Sequence, residues 1–159
     1  MNWQQVVRSI LLRDVPDEYP FVAFEVRPPA GLPWPNGLPP SNGLQRFYSL
    51  CDGGNISQYN WAGISELQSL TERWVSNLRA YDDRGDVLSS SQHIAFATDA
   101  SGCPVICDAR TGSVSSFFFK GGDWEPLAPS VEDFLQDLFV SKPKPESWSE
   151  YVVIFQQRA

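Results

Sequence analysis

The stretch from Gln92 to Phe119 constrains the fold more than any other part of this chain, because it predicts three strands joined by two turns. Three runs in it are rich in β-branched or aromatic residues: His93–Thr98, Cys103–Asp108 and Ser113–Phe119. Each connection, at residues 99–102 and 108–112, begins with aspartate and ends with glycine. Aspartate accepts hydrogen bonds from nearby backbone amides, and glycine adopts a positive φ without steric cost. The stretch therefore predicts an antiparallel three-stranded meander.

Hydrophobic spacing predicts the elements before the meander. Helices are expected at Trp3–Leu12, from the N-cap Ser41 to Cys51, and at Glu66–Tyr81; strands are expected at Phe21–Arg27, as an edge strand, and at Asn55–Trp61. Pro28–Pro40 contains too many prolines for a regular element. We expect it to be a surface loop pinned to the core by Leu32, Trp34 and Leu38, or less readily a polyproline ligand.

After the meander, Gly121–Pro126 predicts a tight connection, and Ser130 is an N-cap before a last packing helix. Pro143 and Pro145 end that helix. The tail Trp148–Phe155 is apolar enough to add a strand or to cover an edge of the sheet. Together these elements predict one α+β domain, a twisted and mainly antiparallel sheet with helices packed against it.

Charge narrows the classes of partner. The chain carries 12 Lys and Arg against 19 Asp and Glu, a net charge of −7. Such a surface repels phosphate backbones and anionic membranes, so we expect neither nucleic acid nor membrane as a partner. The N-terminus lacks the pattern of a signal peptide, and no apolar run reaches the roughly 20 residues that span a bilayer. We therefore expect a cytoplasmic protein.

The three cysteines and single histidine do not predict a disulfide, a metal site or a cofactor. Cys103 and Cys107 on one strand would lie about 13 Å apart between Cα atoms, too far for a disulfide. There is no CxxC pair, and His93 is the only histidine in the chain, so a zinc site is unsupported. The acidic residues 82–86 have no closing glutamate, which argues against a calcium loop. We expect buried, reduced thiols.

Several turn and cap motifs occur in an order that resembles the SUKH superfamily, the Smi-Knr type domain. They are Leu38-Pro39-Pro40, Phe47-Tyr48, Asp52-Gly53-Gly54, Asp99-x-Ser101-Gly102, Asp108-x-x-Thr111-Gly112-x-Val114, Trp124, and Ala128-x-Ser130-x-x-Asp133-Phe134-Leu135. The resemblance covers residues 38–139, with 1–37 as an N-terminal helix, strand and proline-rich loop, and 140–159 as a C-terminal extension of one domain. Members usually have a helix before the Leu-Pro motif, and Gly31–Gly37 cannot form one.

The resemblance implies an α+β fold and a role in protein binding. Many bacterial members resemble immunity proteins that bind and neutralise a toxin, often a nuclease, delivered by a competing or sister cell. Others are scaffolds or regulatory interaction modules. A basic toxin domain would suit the acidic charge of this chain, because opposite charges accelerate association.

The residues favour a binding protein over an enzyme. His93 opens a strand of the meander, which favours a structural histidine, and Asp99 with Asp108 sit where turns need aspartate. The glycines form no phosphate-binding motif. Two alternatives stay open: a small hydrolase that uses His93 with a cysteine, and a small-molecule sensor with a pocket between Trp74 and the sheet.

Aromatic and acidic residues, most of them in predicted loops, are the candidate partner contacts, because aromatic side chains anchor interfaces and carboxylates face Lys or Arg. They are Trp34, Tyr59, Trp61, Asp82, Asp83, Asp86, Asp123 and Trp124. For Trp61 and Trp124 the competing interpretation is core packing.

Overall fold

The computed structural model describes residues 2–13, 24–78, 88–118 and 123–141. In these ranges a seven-stranded sheet runs in chain order from β1 to β7, and every neighbouring pair of strands is antiparallel. The strands are β1 Glu25–Val26, β2 Gly54–Ile56, β3 Tyr59–Trp61, β4 His93–Thr98, β5 Pro104–Asp108, β6 Val114–Phe118 and β7 Asp123–Ala128. The helices are α1 Trp3–Leu11, α2 Asn42–Leu50, α3 Leu67–Leu78 and α4 Val131–Gln136. The predicted α+β class is confirmed.

The predicted meander is strands β4, β5 and β6, and its turns form by the predicted chemistry. Asp99 Oδ1 accepts hydrogen bonds from the amides of Ser101 and Cys103, each at 2.9 Å. Asp108 Oδ1 accepts one from the amide of Arg110 at 2.9 Å. Gly102 and Gly112 close the two turns with φ values of +82° and +80°. The turns are thus encoded locally, and the strands follow from them.

Residues 55–61 were predicted as one strand, and that prediction is wrong. They form a hairpin of β2 and β3 in which Ile56 pairs with Tyr59. The chain reverses at Ser57, which has a φ of +57°. A two-residue hairpin turn needs a residue with a positive φ. Glycine or asparagine in a sequence indicates such a turn, whereas serine does not.

The tight connection predicted at Gly121–Pro126 is also wrong for its described part, because Asp123 begins β7. Pro126 is tolerated there since β7 is an edge strand of the described sheet, where a residue without an N–H need not break a ladder. At the other edge lies β1, so the predicted edge strand is confirmed for Glu25–Val26. The tail Trp148–Phe155 lies outside the described residues.

Helices cover both faces of the sheet. Alternate residues of β4 and β5 point to opposite faces, and Ile94, Phe96 and Val105 pack with α1, α2 and α4 in the larger core. Ala95, Ile106 and Phe117 point the other way and pack against α3. The Thr71 hydroxyl on α3 is bonded to both the N–H and the C=O of Ala95, at 3.0 and 3.3 Å. That double contact fixes α3 on the sheet beside the register shift after Ala95.

One carboxylate, that of Glu132 in the first turn of α4, links the N-terminal helix α1 to α2. Glu132 accepts a hydrogen bond from Trp3 Nε1 at 2.6 Å and forms an ion pair with Arg46. Trp3 is itself buried against Phe47, with ring centroids 6.3 Å apart. The first helix is therefore an integral part of the domain.

Candidate functional site

Two exposed aromatic residues and two exposed acidic residues lie together at one end of the β6–β7 hairpin. Phe118 on β6 is 46% exposed and Trp124 on β7 is 37% exposed. The first four residues of β7, Asp123–Pro126, are all exposed. Since successive residues of a strand point to opposite faces, this half of β7 is open to solvent on both faces. We call Phe118, Asp123, Trp124 and Glu125 the hairpin end.

Strand register assigns each residue of the hairpin end to a face. Phe118 pairs with Asp123, and Ser116 with Glu125. Ser116 also pairs with Val105, a residue of the larger core, so these side chains share the face that carries α1, α2 and α4. Trp124 pairs with Phe117 on the α3 face and packs edge-on against it, with ring centroids 5.0 Å apart. One face thus presents a phenyl ring with two carboxylates, and the other an indole.

Two predicted partner contacts lie in the core instead. Trp61 has no exposed surface, and its ring packs on Phe47 and Phe96 at centroid distances of 4.4 and 4.7 Å. Tyr59 is buried beside Phe134, with the rings 5.4 Å apart. A buried side chain cannot contact a partner while the domain stays folded. We therefore leave Tyr59 and Trp61 out of the candidate surface.

Trp34 holds the proline-rich loop, as the sequence predicted. Its indole N–H donates to the carbonyl of Pro39 at 3.1 Å, and its ring packs near Tyr48. Leu38 is buried, whereas Leu32 is 53% exposed and does not pin the loop. Trp34 thus stabilises the loop, and its side chain is half-buried.

The acidic candidates are divided between described and undescribed parts of the chain. Asp123 is exposed in the hairpin end. Asp82, Asp83 and Asp86 lie outside the described residues. Phe118 and Glu125 were not predicted from the sequence, because the face of each depends on the β6–β7 register. The run Phe117-Phe118-Phe119 contained a usable pattern, since a strand must turn adjacent side chains to opposite faces.

A separate cleft of about 330 Å³ lies where α2 and α4 begin, against the turn between β5 and β6. Ser41, Ser130, Arg110 and Glu132 are among its lining residues. The two serine hydroxyls cap the helices that follow them, and Glu132 is bonded to α1 and α2. The two serines and Glu132 therefore serve the fold. The small-molecule sensor considered from the sequence would need a pocket beside Trp74. This cleft is a different one, because Trp74 does not line it and packs instead against the smaller core cluster beside α3.

His93 is a structural residue of the turn before β4. Its Nδ1 accepts a hydrogen bond from the amide of Ser89 at 3.1 Å, so that nitrogen must be unprotonated. Partial burial lowers the pKa of the imidazole, and of the two neighbouring charges Asp108 raises it while Arg110 lowers it. The net lowering favours the neutral ring that this turn requires.

The lowered pKa of His93 predicts a loss of stability in mild acid. Below about pH 6.5 the unfolded chain takes up a proton that the folded histidine does not, so the free energy of unfolding falls as pH decreases from there. In His93→Asn the amide oxygen can still accept from Ser89, but nothing titrates. Urea unfolding between about pH 7 and pH 5 should show a shallower decline for this variant. Identical slopes in both proteins would contradict the prediction.

The described cysteines are free and buried. Burial raises the pKa of the Cys51 thiol to about 12 and that of Cys107 to about 11. Both thiols are therefore protonated at neutral pH, whereas a nucleophilic cysteine needs a thiolate. Cys103 is likewise buried.

The described ranges contain no group of three or more His, Cys, Asp or Glu side chains arranged to hold a metal ion. None of the helices in these ranges has the length and apolar character needed to cross a membrane.

Comparison with protein families, with curated proteins and with solved structures finds no match to this chain. Its function must therefore be argued from its own residues.

Proposed function

We propose that this chain is a non-enzymatic, SUKH-like protein-binding domain that acts as an immunity protein in the cytoplasm. Its partner would be a basic bacterial toxin domain, such as a nuclease. The observation that carries the proposal is the hairpin end, where Phe118 and Trp124 are exposed beside Asp123 and Glu125. Exposed aromatic residues are frequent interface anchors, and here two of them lie beside carboxylates on the edge hairpin of the described sheet.

Two further features support binding to a basic partner. The net charge of −7 raises the association rate with a positively charged protein, because opposite charges steer the encounter. The order of turn and cap motifs in residues 38–139 resembles domains that include many toxin-neutralising proteins. A regulatory or scaffold role is the second interpretation, and it differs in that the bound partner would keep its activity.

The proposal predicts tight, salt-dependent binding to a basic toxin domain. We would titrate the protein against a panel of basic nuclease toxin domains and follow both the association rate and the nuclease activity. We expect one domain to bind with an association rate that falls by about tenfold or more as salt rises to physiological levels and beyond. Nuclease activity should disappear when the two proteins are equimolar.

Charge variants give a graded control for the steering. Asp82→Asn with Asp83→Asn removes two negative charges, and Asp82→Lys with Asp83→Lys reverses them. Association should slow in that order, with little change in dissociation. An association rate that changes neither with salt concentration nor between these variants would refute electrostatic steering. Binding without inhibition would favour the regulatory role, and the absence of binding at any salt concentration would reject the proposal.

A further inference from the structure

One face of the hairpin end combines an exposed ring with two carboxylates at close range. Phe118 and Asp123 are directly opposite each other on neighbouring strands, which places their Cβ atoms about 5 Å apart. Glu125 lies two residues further along β7 on the same face, about 7 Å from Asp123 along the strand. We call Phe118, Asp123 and Glu125 the acidic ring patch.

The described fold does not use these three side chains. Several other described carboxylates have structural partners: Asp52 accepts from the Ile64 amide, Asp99 from Ser101, Asp108 from Arg110 and Asp133 from Ser130. Within the described ranges, Asp123 and Glu125 form neither a hydrogen bond nor an ion pair, and Phe118 contacts no other ring. Trp124 differs, because it packs on Phe117.

We propose that the acidic ring patch binds an arginine or lysine side chain of the protein partner, with the cation over the Phe118 ring and between the two carboxylates. This inference rests on the proposed protein-binding function and names the surface and chemistry that perform it. A cation above a phenyl ring is attracted by the ring's quadrupole, and the two carboxylates add ion pairs. Arginine fits best, since its planar group can stack on the ring and still donate sideways to both carboxylates.

Charge favours a basic side chain over two other occupants of the acidic ring patch, a second copy of the chain and a neutral strand. A second copy of the chain would bring its own acidic patch against this one, and like charges in contact are unfavourable. A neutral strand adding to the edge of β7 would meet Pro126, which lacks an N–H, and two carboxylates, the features that protect edge strands from pairing. A basic side chain is the occupant that both the ring and the charges favour.

The test uses a probe that requires no toxin: a short capped peptide of alternating arginine and glycine. Titration into the isotopically labelled full chain at low salt, followed by NMR, should shift the amide resonances of Phe118, Asp123 and Glu125. The matching peptide with glutamine in place of arginine should bind at least about tenfold more weakly. This measurement succeeds or fails independently of toxin neutralisation.

Matched variants locate the effect. Asp123→Asn with Glu125→Gln should weaken the arginine peptide by about tenfold, and Phe118→Ala by about threefold. Glu66→Gln with Glu72→Gln removes the same charge from exposed positions, one in the short 3₁₀ helix Ile64–Glu66 that precedes α3 and one on α3 itself, and should cost less than about twofold. Trp124→Ala, on the other face, should leave peptide affinity unchanged. Lys120, in the connection outside the described residues, is kept in every variant.

Four results would overturn the inference. They are equal losses in the two double variants, unchanged affinity in Phe118→Ala, shifts centred on α3, and an arginine peptide that binds no better than the glutamine peptide. Each variant changes only exposed side chains, and unchanged melting temperatures would show that all of them remain folded. Peptide binding at the patch combined with no toxin binding would uphold the inference while rejecting the neutralising role.

Discussion

Replacement of Gly54 by alanine is expected to destabilise the domain by about 3–5 kcal/mol. Gly54 has a φ of +130°, and an added Cβ would lie 2.0 Å from the carbonyl oxygen of Glu25. That oxygen belongs to the backbone of β1, so the clash cannot be relieved by rotating a side chain. Strand β1 would have to move away from β2.

The contacts that hold β1 explain why this movement is costly. The amide of Arg27 donates to Gly53 O at 2.9 Å, and the amide of Asp52 donates to Arg27 O at 2.9 Å. The Arg27 guanidinium also donates to the carbonyls of Asp52 and Trp61. Any shift that makes room for a methyl group at position 54 stretches these hydrogen bonds together.

Gly102→Ala is the matched control for the Gly54 prediction. Gly102 also has a positive φ, +82°, but nothing lies within 4 Å of the position of an added Cβ. It should therefore cost only the backbone preference, about 1–2 kcal/mol. Urea unfolding of both variants measures the difference. Equal losses would mean that φ alone, and not the approach of β1, makes glycine necessary at position 54.

The parts of the fold that were predicted correctly are those with local chemistry. The turns after Asp99 and Asp108 carry both the side-chain acceptor and the glycine that such turns need, so the meander follows from short stretches of sequence. The N-caps Ser41 and Ser130 accept from the amides three residues on, as their sequence context indicated.

The errors lie where tertiary contacts override local preference. Ser57 adopts a positive φ because the pairing of Ile56 with Tyr59 requires a reversal there, and no residue of that turn favours one. Asp123–Ala128 forms a strand despite Pro126 because β6 offers it an edge. Both outcomes depend on the pairing of adjacent strands, which residue spacing does not specify.

Only half of the candidate site could be predicted from the sequence, because the other half depends on strand register. Asp123 and Trp124 were found from residue type alone, whereas Phe118 and Glu125 emerged only when register assigned their faces. Trp61 and Trp124 are alike in sequence terms, each following a polar residue and lying near a turn. Position in the sheet separates them, because β3 lies between two strands under α2 and α4 while β7 is an edge of the described sheet.

Replacing Trp61 by alanine and by phenylalanine tests that separation. Trp61→Ala removes a fully buried ring that contacts Phe47 and Phe96, and we expect a loss of about 3–5 kcal/mol in the free energy of unfolding. Trp61→Phe keeps a ring in the same place. The indole N–H that it deletes is buried and has no hydrogen-bond partner among the described residues, so its removal relieves a desolvation penalty.

The phenylalanine variant should therefore lose only about 1–2 kcal/mol, despite the smaller ring. Urea unfolding of the three proteins gives both values. A cost for Trp61→Phe as large as that for Trp61→Ala would show that a phenyl ring recovers none of the packing supplied by the indole, and would contradict the prediction. If Trp61→Phe instead weakened partner binding without changing the free energy of unfolding, Trp61 would belong to the interface, and its assignment to the core alone would be wrong.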